Sequence, residues 1–195
     1  MADKAESLVQ FARPGCAAAI WRRQPKSGFQ SWIDALDPEQ LPSGRVVGRP
    51  EAALQIVGKL CEMADTPDGP ERTMLIEDVS ALAHIFSEMM QSPYVRVRLS
   101  PVRNNSCRKF HIDAITARLV CTYRGTGTQY GVSKDGAEPT RVFTVPTGAP
   151  ILLRGTLWSD PPASGLLHRS PPIEGTNETR LVLVIDPIFD TDTAA

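Results

Sequence analysis

Hydrophobic positions recur along this chain with two different periods, and the change falls near residue 92. Before it the spacing is helical. In EAALQIVGKLCEMA, Leu54, Val57, Cys61 and Ala64 fall three or four residues apart, and Pro50 stands where a first-turn proline would. After the loop DTPDGPER, MLIEDVSALAHIFSEMM places Ile76, Val79, Ala83, Phe86 and Met90 on one face. GFQSWIDALD predicts a shorter helix around Trp32, Ile33 and Leu36. After Ser92-Pro93 the period is two. YVRVRLS alternates Val95, Val97 and Leu99 with Arg96, Arg98 and Ser100, the signature of a half-buried strand. Further β-rich runs follow: the HID segment, ARLVCTY, RVFTV, ILLRGTLW, GLLH and RLVLVID. The clusters VRNNS, RGTG, SKDGAEP, PTGAP, SDPPASG and PPIEGTNE separate them as turns.

Helices followed by many short strands predict an α+β chain. The expected architecture is a double-stranded β-helix of the jelly-roll, cupin-like kind, with N-terminal helices packed on one sheet. Residues 1–92 are read as the mainly helical part of a single domain, 93–190 as its β core, and 191–195 as a loose tail. The length of 195 residues and a hydrophobic content of 42% suit one domain with a real core. A net charge of −1 offers no basic field for a phosphate backbone, so nucleic acid is not expected as a partner. No apolar run approaches the length of a membrane span, and no apolar leader opens the chain, which predicts a cytoplasmic protein without a membrane partner. The four cysteines form no CxxC pair, as expected of reduced thiols.

Candidate chemistry sits in the histidines, of which there are three. His84 lies inside a helical pattern and reads as an ordinary helix residue. His111 precedes Asp113 by two positions, so in an extended strand both would face one side, with Cys107 and Lys109, while Phe110 and Ile112 face the other. His168, in GLLH, can return beside them in a jelly roll. Two imidazoles and one carboxylate form the facial triad that suits Fe(II) and leaves positions open. Arg180, on the following strand, is a candidate for holding a carboxylate through two parallel hydrogen bonds. With Cys107 added, the same residues would instead close a four-ligand zinc site.

The ordered set His111, Asp113, His168 and Arg180 resembles the Fe(II)- and 2-oxoglutarate-dependent oxygenases, the prolyl-hydroxylase type above all. LVCTYRGTGTQYG and VPTGAPILLRGTLW stand where that pattern has its intervening strands and turns. FHIDAITARLVCTYRGTGTQY and GLLHRSPP also resemble an uncharacterised bacterial family known only as a domain of unknown function, over residues 30 to 190. The oxygenase resemblance implies Fe(II) on His111, Asp113 and His168. It further implies 2-oxoglutarate with its distal carboxylate on Arg180, assisted by Tyr123 or Thr128, and oxidation of a small molecule or a protein side chain. Arg169 and Arg118 are rival holders of that carboxylate. The alternatives are a zinc- or other metal-binding cupin-like protein without oxygenase activity, sensory or in metal homeostasis, a cupin-like enzyme that needs no keto acid, and an interaction module without chemistry.

Overall fold

The structure is a computed structural model that describes residues 5–26, 28–133, 137–159 and 165–190; the expected loose tail at 191–195 lies outside them. Three α-helices are present among these residues: α1 (Phe29–Ala35), α2 (Ala53–Met63) and α3 (Pro70–Met90). The strands are β1 (Ala18–Ile20), β2 (Gly44–Gly48), β3 (Tyr94–Val102), β4 (Ala117–Arg124), β5 (Gln129–Val132), β6 (Phe143–Thr144), β7 (Pro150–Arg154), β8 (Leu166–Arg169) and β9 (Arg180–Ile188). They form two antiparallel sheets, one of six strands in the order β1-β7-β4-β9-β3-β2 and one of three in the order β6-β5-β8.

The alternation in YVRVRLS does what it predicts. Val95, Val97 and Leu99 are buried against the helices, while Arg96, Arg98 and Ser100 take the other face. β9 is the centre of the large sheet, paired with β3 along its whole length and with β4 on its other side. Its near-continuous apolar run, RLVLVI, follows from having both faces covered. Leu181, Leu183 and Ile185 join the helix-side core; Val182 and Val184 join a second core between the sheets, with Val120, Ile151 and Leu153.

The first half of the chain contributes both edge strands of the large sheet, β1 and β2. The residues GRVVG of β2 carry no alternation, and the reason is packing. A Cβ at Gly44 would lie 2.4 Å from a Leu60 methyl, and one at Gly48 would lie 2.9 Å from the Ile56 methyl. Bare backbone lets α2 rest directly on the edge strand. α2 buries Ala53, Val57, Leu60 and Cys61, whereas Leu54, expected on the inner face, is 50% exposed. Proline at the first turn opens α3, and Gln91 in the left-handed region (φ 52°) closes it. No helix is long and apolar enough to cross a membrane among these residues, and all four cysteines are free.

On the helix side, Asp78 of α3 anchors two partners. It accepts hydrogen bonds from Arg23 at 2.5 and 2.6 Å and from the Tyr123 hydroxyl at 2.5 Å. Burial, with the Asp78 charge beside it, pushes the Tyr123 phenol well above its usual value. Burial likewise pushes the neighbouring Cys121 thiol up to about 12. This face of β4 is a structural brace.

Candidate metal centre

The candidate residues meet at the rim of the small sheet. His168, in β8, pairs with Tyr130 of β5 on one side. On its other side it meets His111 in an isolated antiparallel bridge, closed by two backbone hydrogen bonds of 3.0 Å. Residues directly opposed in an antiparallel pair project to the same face, and the two imidazole rings lie 4.5 Å apart.

Asp113 arrives by another route. The HID segment, read from sequence as a strand, makes only the single bridge at His111, and Asp113 lies beyond it without strand structure. Its position comes from a backbone clasp at the end of β7. Gly155, Thr156 and Leu157 donate to the carbonyls of Thr116, Asp113 and Ile115 at 3.0, 2.9 and 3.1 Å. A Cβ at Gly155 would lie 2.0 Å from the Ile115 carbonyl oxygen and 2.7 Å from that of Asp113, so only glycine permits the clasp.

One ligand atom from each of His111, Asp113 and His168 falls within a group no wider than 4.8 Å. His168 Nε2 is 3.2 Å from Asp113 Oδ2, and His111 Nε2 is 3.6 Å from Asp113 Oδ1. The other imidazole nitrogen of His111 lies 2.8 Å from the Lys109 carbonyl. A proton there leaves Nε2 with the free lone pair. Asp113 Oδ2 is buried and has no hydrogen-bond partner, since the 3.2 Å approach of His168 lacks hydrogen-bond geometry. An orphaned carboxylate oxygen beside the His168 imidazole, in a cluster that also holds His111, suits a divalent cation. Burial raises the Asp113 pKa, but His168 beside it and the Arg118 charge outweigh this and hold the carboxyl below its ordinary value.

Arg118 fixes the carboxylate. Its Nε and Nη2 donate to Asp186 of β9 at 2.7 and 2.9 Å, and its Nη1 lies 2.9 Å from Asp113 Oδ1. That leaves Oδ2 beside the His168 imidazole. Arg118→Gln is expected to lower metal affinity roughly 10- to 100-fold, as loss of a partner that orients a ligand usually does. Competition with a metal-binding dye would measure it, and an affinity within threefold of the parent would remove Arg118 from this role.

The cavity beside the triad has a volume of about 370 Å³ and apolar walls from Val120, Val182 and Val184. The remaining sequence candidates fall on both sides of the sheet. Thr128 is buried and lines the cavity. Tyr123 does not reach it: its hydroxyl points to the opposite face, toward Asp78. Tyr123 joins Leu119 and Cys121 in the helix-side core. Cys107 lines the cavity but is exposed, sits in a turn with φ 56°, and stands outside the cluster of ligand atoms. His84 lies on α3, away from the cluster.

Arg180 is 1% exposed. It donates to the Thr126 carbonyl at 2.6 Å, to Ser170 Oγ at 3.2 Å and to Thr122 Oγ1 at 3.3 Å. No carboxylate pairs with it among the described residues. Burial pulls its pKa down to about 10, which leaves it a cation at neutral pH. The rivals have partners already: Arg118 has two carboxylates, and Arg169 donates to Gln129 at 2.8 Å and stacks over Phe110. Asp186, the counter-charge of Arg118, went unnoticed in the sequence. Its signal was parity with Arg180, Val182 and Val184.

The dioxygenase for auxin oxidation 1 of Arabidopsis thaliana, solved as a binary complex with 2-oxoglutarate, superposes with a TM-score of 0.53 at 12% identity, covering 99% of this chain and 91% of that one. The dioxygenase for auxin oxidation of rice gives 0.48 at 16% identity, over 96% and 79% of the two chains. A Pseudomonas putida prolyl-4-hydroxylase gives 0.48 at 11%, over 96% and 100%. No curated protein matches the sequence at a significant level. The mixed helix and antiparallel-sheet fold is the one found in 2-oxoglutarate-dependent dioxygenases, whose fold is a jelly roll. Within that fold, the chain belongs to the family described as protein of unknown function (DUF1826), which matches residues 2–186.

Proposed function

We propose that this chain is an Fe(II)- and 2-oxoglutarate-dependent dioxygenase of the hydroxylase type, built on a double-stranded β-helix. The observation that carries this reading is the orphaned Asp113 Oδ2 beside His168, in one cluster with His111. A buried arginine without a paired carboxylate, Arg180, supports it; Arg180 does not itself line the cavity but donates to Ser170, which does.

His111, Asp113 and His168 would hold Fe(II), which with 2-oxoglutarate and dioxygen supplies the oxidising power to attack a C–H bond. Every other task falls to the chain itself. Arg118, held by Asp186, keeps Asp113 turned toward the imidazoles. Arg180 presents a preorganised fork whose three hydrogen bonds to Thr126, Ser170 and Thr122 set its orientation before any ligand arrives. Its two remaining N–H groups can take the distal carboxylate of 2-oxoglutarate. Arg180 is itself buried, which would strengthen that ion pair. The cofactor-binding set is therefore Arg180 with Thr128, and Tyr123 is left to the brace.

Anaerobic titration of the purified protein with Fe(II), then 2-oxoglutarate, tests the reading. A visible metal-to-ligand charge-transfer band should appear only when both are present. Tight zinc binding with no such band would favour a metal-binding protein without oxygenase activity.

A further inference from the structure

The core between the two sheets draws its buried residues from β1, β4, β7 and β9, together with Val145 and Ala149; β2 supplies none, and β3 only the partly buried Val102. The small sheet thus leaves the outer third of the large sheet uncovered, and β2 and β3 extend past it as a shelf. On the cavity-facing side of that shelf stand Arg45, Arg96 and Arg98. Arg45 and Arg98 are direct cross-strand partners, and both are exposed.

This pairing works against stability. Like charges directly opposite one another on a sheet repel, and neither guanidinium has a hydrogen bond or ion pair among the described residues. Asp186, the acid that acts on Arg98, is already bidentate to Arg118 and 3.9 Å from Arg96. Partial desolvation and the Arg118 charge both lower the Arg98 pKa, as expected for a cation facing other cations. Arg98 also lines the same cavity as His111, Asp113 and His168, beside the apolar wall of Val120, Val182 and Val184. In a chain of net charge −1, this wall gathers Arg98, Arg103, Arg118 and Arg169; Arg118 is balanced by Asp113 and Asp186 and Arg103 pairs with Glu39 at 3.1 Å, which leaves Arg98 and Arg169 without an acidic partner among the described residues. A focused positive field beside an apolar surface selects an anionic ligand with an apolar body.

We propose that Arg98, with Arg45 opposite it, docks an oxyanion group of the substrate that is oxidised at the metal centre. The substrate is a small molecule carrying a carboxylate or phosphate on an apolar body. The proposal rests on the oxygenase reading above and fails separately from it.

The test uses full-length protein loaded with Zn(II) in place of Fe(II), saturated with 2-oxoglutarate. Ligand-observed NMR would screen small aromatic and aliphatic carboxylic acids, the primary amides matched to them, and the corresponding phosphate monoesters. Acids or phosphate esters should bind at least about tenfold more tightly than the amides; whichever of the two binds identifies the oxyanion. Arg98→Gln should lose that preference, Arg98→Lys should keep part of it, and both should retain the Fe(II)/2-oxoglutarate band of the parent. Equal binding of acids and amides, an unchanged preference in Arg98→Gln, or no binding of any acid or ester would overturn the proposal. A parent without the band, but with an Arg98-dependent preference for oxyanions, would sink the cofactor reading and leave this one standing.

Discussion

Replacing Asp113 by alanine is expected to abolish Fe(II) binding while leaving the fold intact. Asp113 is the one anionic member of the ligand cluster. Removing a residue that merely orients a ligand costs about 10- to 100-fold in metal affinity, so removing the ligand itself should exceed about 100-fold. The fold should survive because the Asp113 backbone is placed by the Thr156 N–H, which donates to its carbonyl, and by the adjoining bonds from Gly155 and Leu157 to Thr116 and Ile115, all of which alanine keeps. Arg118 would remain paired to Asp186 at both nitrogens, so no buried cation is stranded. Anaerobic calorimetry with Fe(II) gives the affinity, and circular dichroism the fold. His84→Ala, on α3, is the matched control with unchanged binding. An Asp113→Ala protein that binds Fe(II) within threefold of the parent would show that the metal sits elsewhere.

Replacing Arg180 by glutamine is the second large effect. Truncating one partner of a buried, hydrogen-bonded charge pair costs about 2–5 kcal/mol, which is roughly 30-fold to several thousand-fold in affinity. 2-Oxoglutarate should therefore bind at least about 30-fold more weakly, with Fe(II) affinity unchanged because no metal ligand is touched. The titration that yields the charge-transfer band measures both quantities on one sample. Two controls sharpen it. Tyr123→Phe should leave 2-oxoglutarate binding unaltered, since its hydroxyl faces Asp78 across the sheet. Arg169→Gln should have a small effect, because that guanidinium is engaged by Gln129 and Phe110. If Arg169→Gln carries the loss instead, the carboxylate holder has been misassigned.

The helices and β3 were legible because each buries one face of its own residues, and β9 because its apolar run is nearly continuous. Val95, Val97 and Leu99 announce β3 without help from any other segment. The edge strands were not. β1 has three residues, and the glycines of β2 answer to Leu60 and Ile56, which no local pattern reveals. The candidate site was legible in its residues but less so in its cause. Strand parity suggested that His111 and Asp113 converge. The convergence actually comes from a bridge to His168 and from the clasp by Gly155, both contacts between distant segments. Likewise, the inward parity of Arg118 could be read, but its partnership with Asp186 depends on β4 and β9 being neighbours.

The helix-side core contains none of the residues assigned to the metal or to 2-oxoglutarate. Of those residues only Arg180 stands on a strand that this core holds in place; His111, Asp113, His168 and Thr128 belong to the small sheet and the loops beside it. Their chemistry and the architecture can therefore drift at different rates under selection. A descendant that exchanged His111 or Asp113 would lose a ligand but keep its scaffold, free to become a binder or a regulator. Shared ancestry in such a protein says little about a shared reaction until the ligands themselves are inspected.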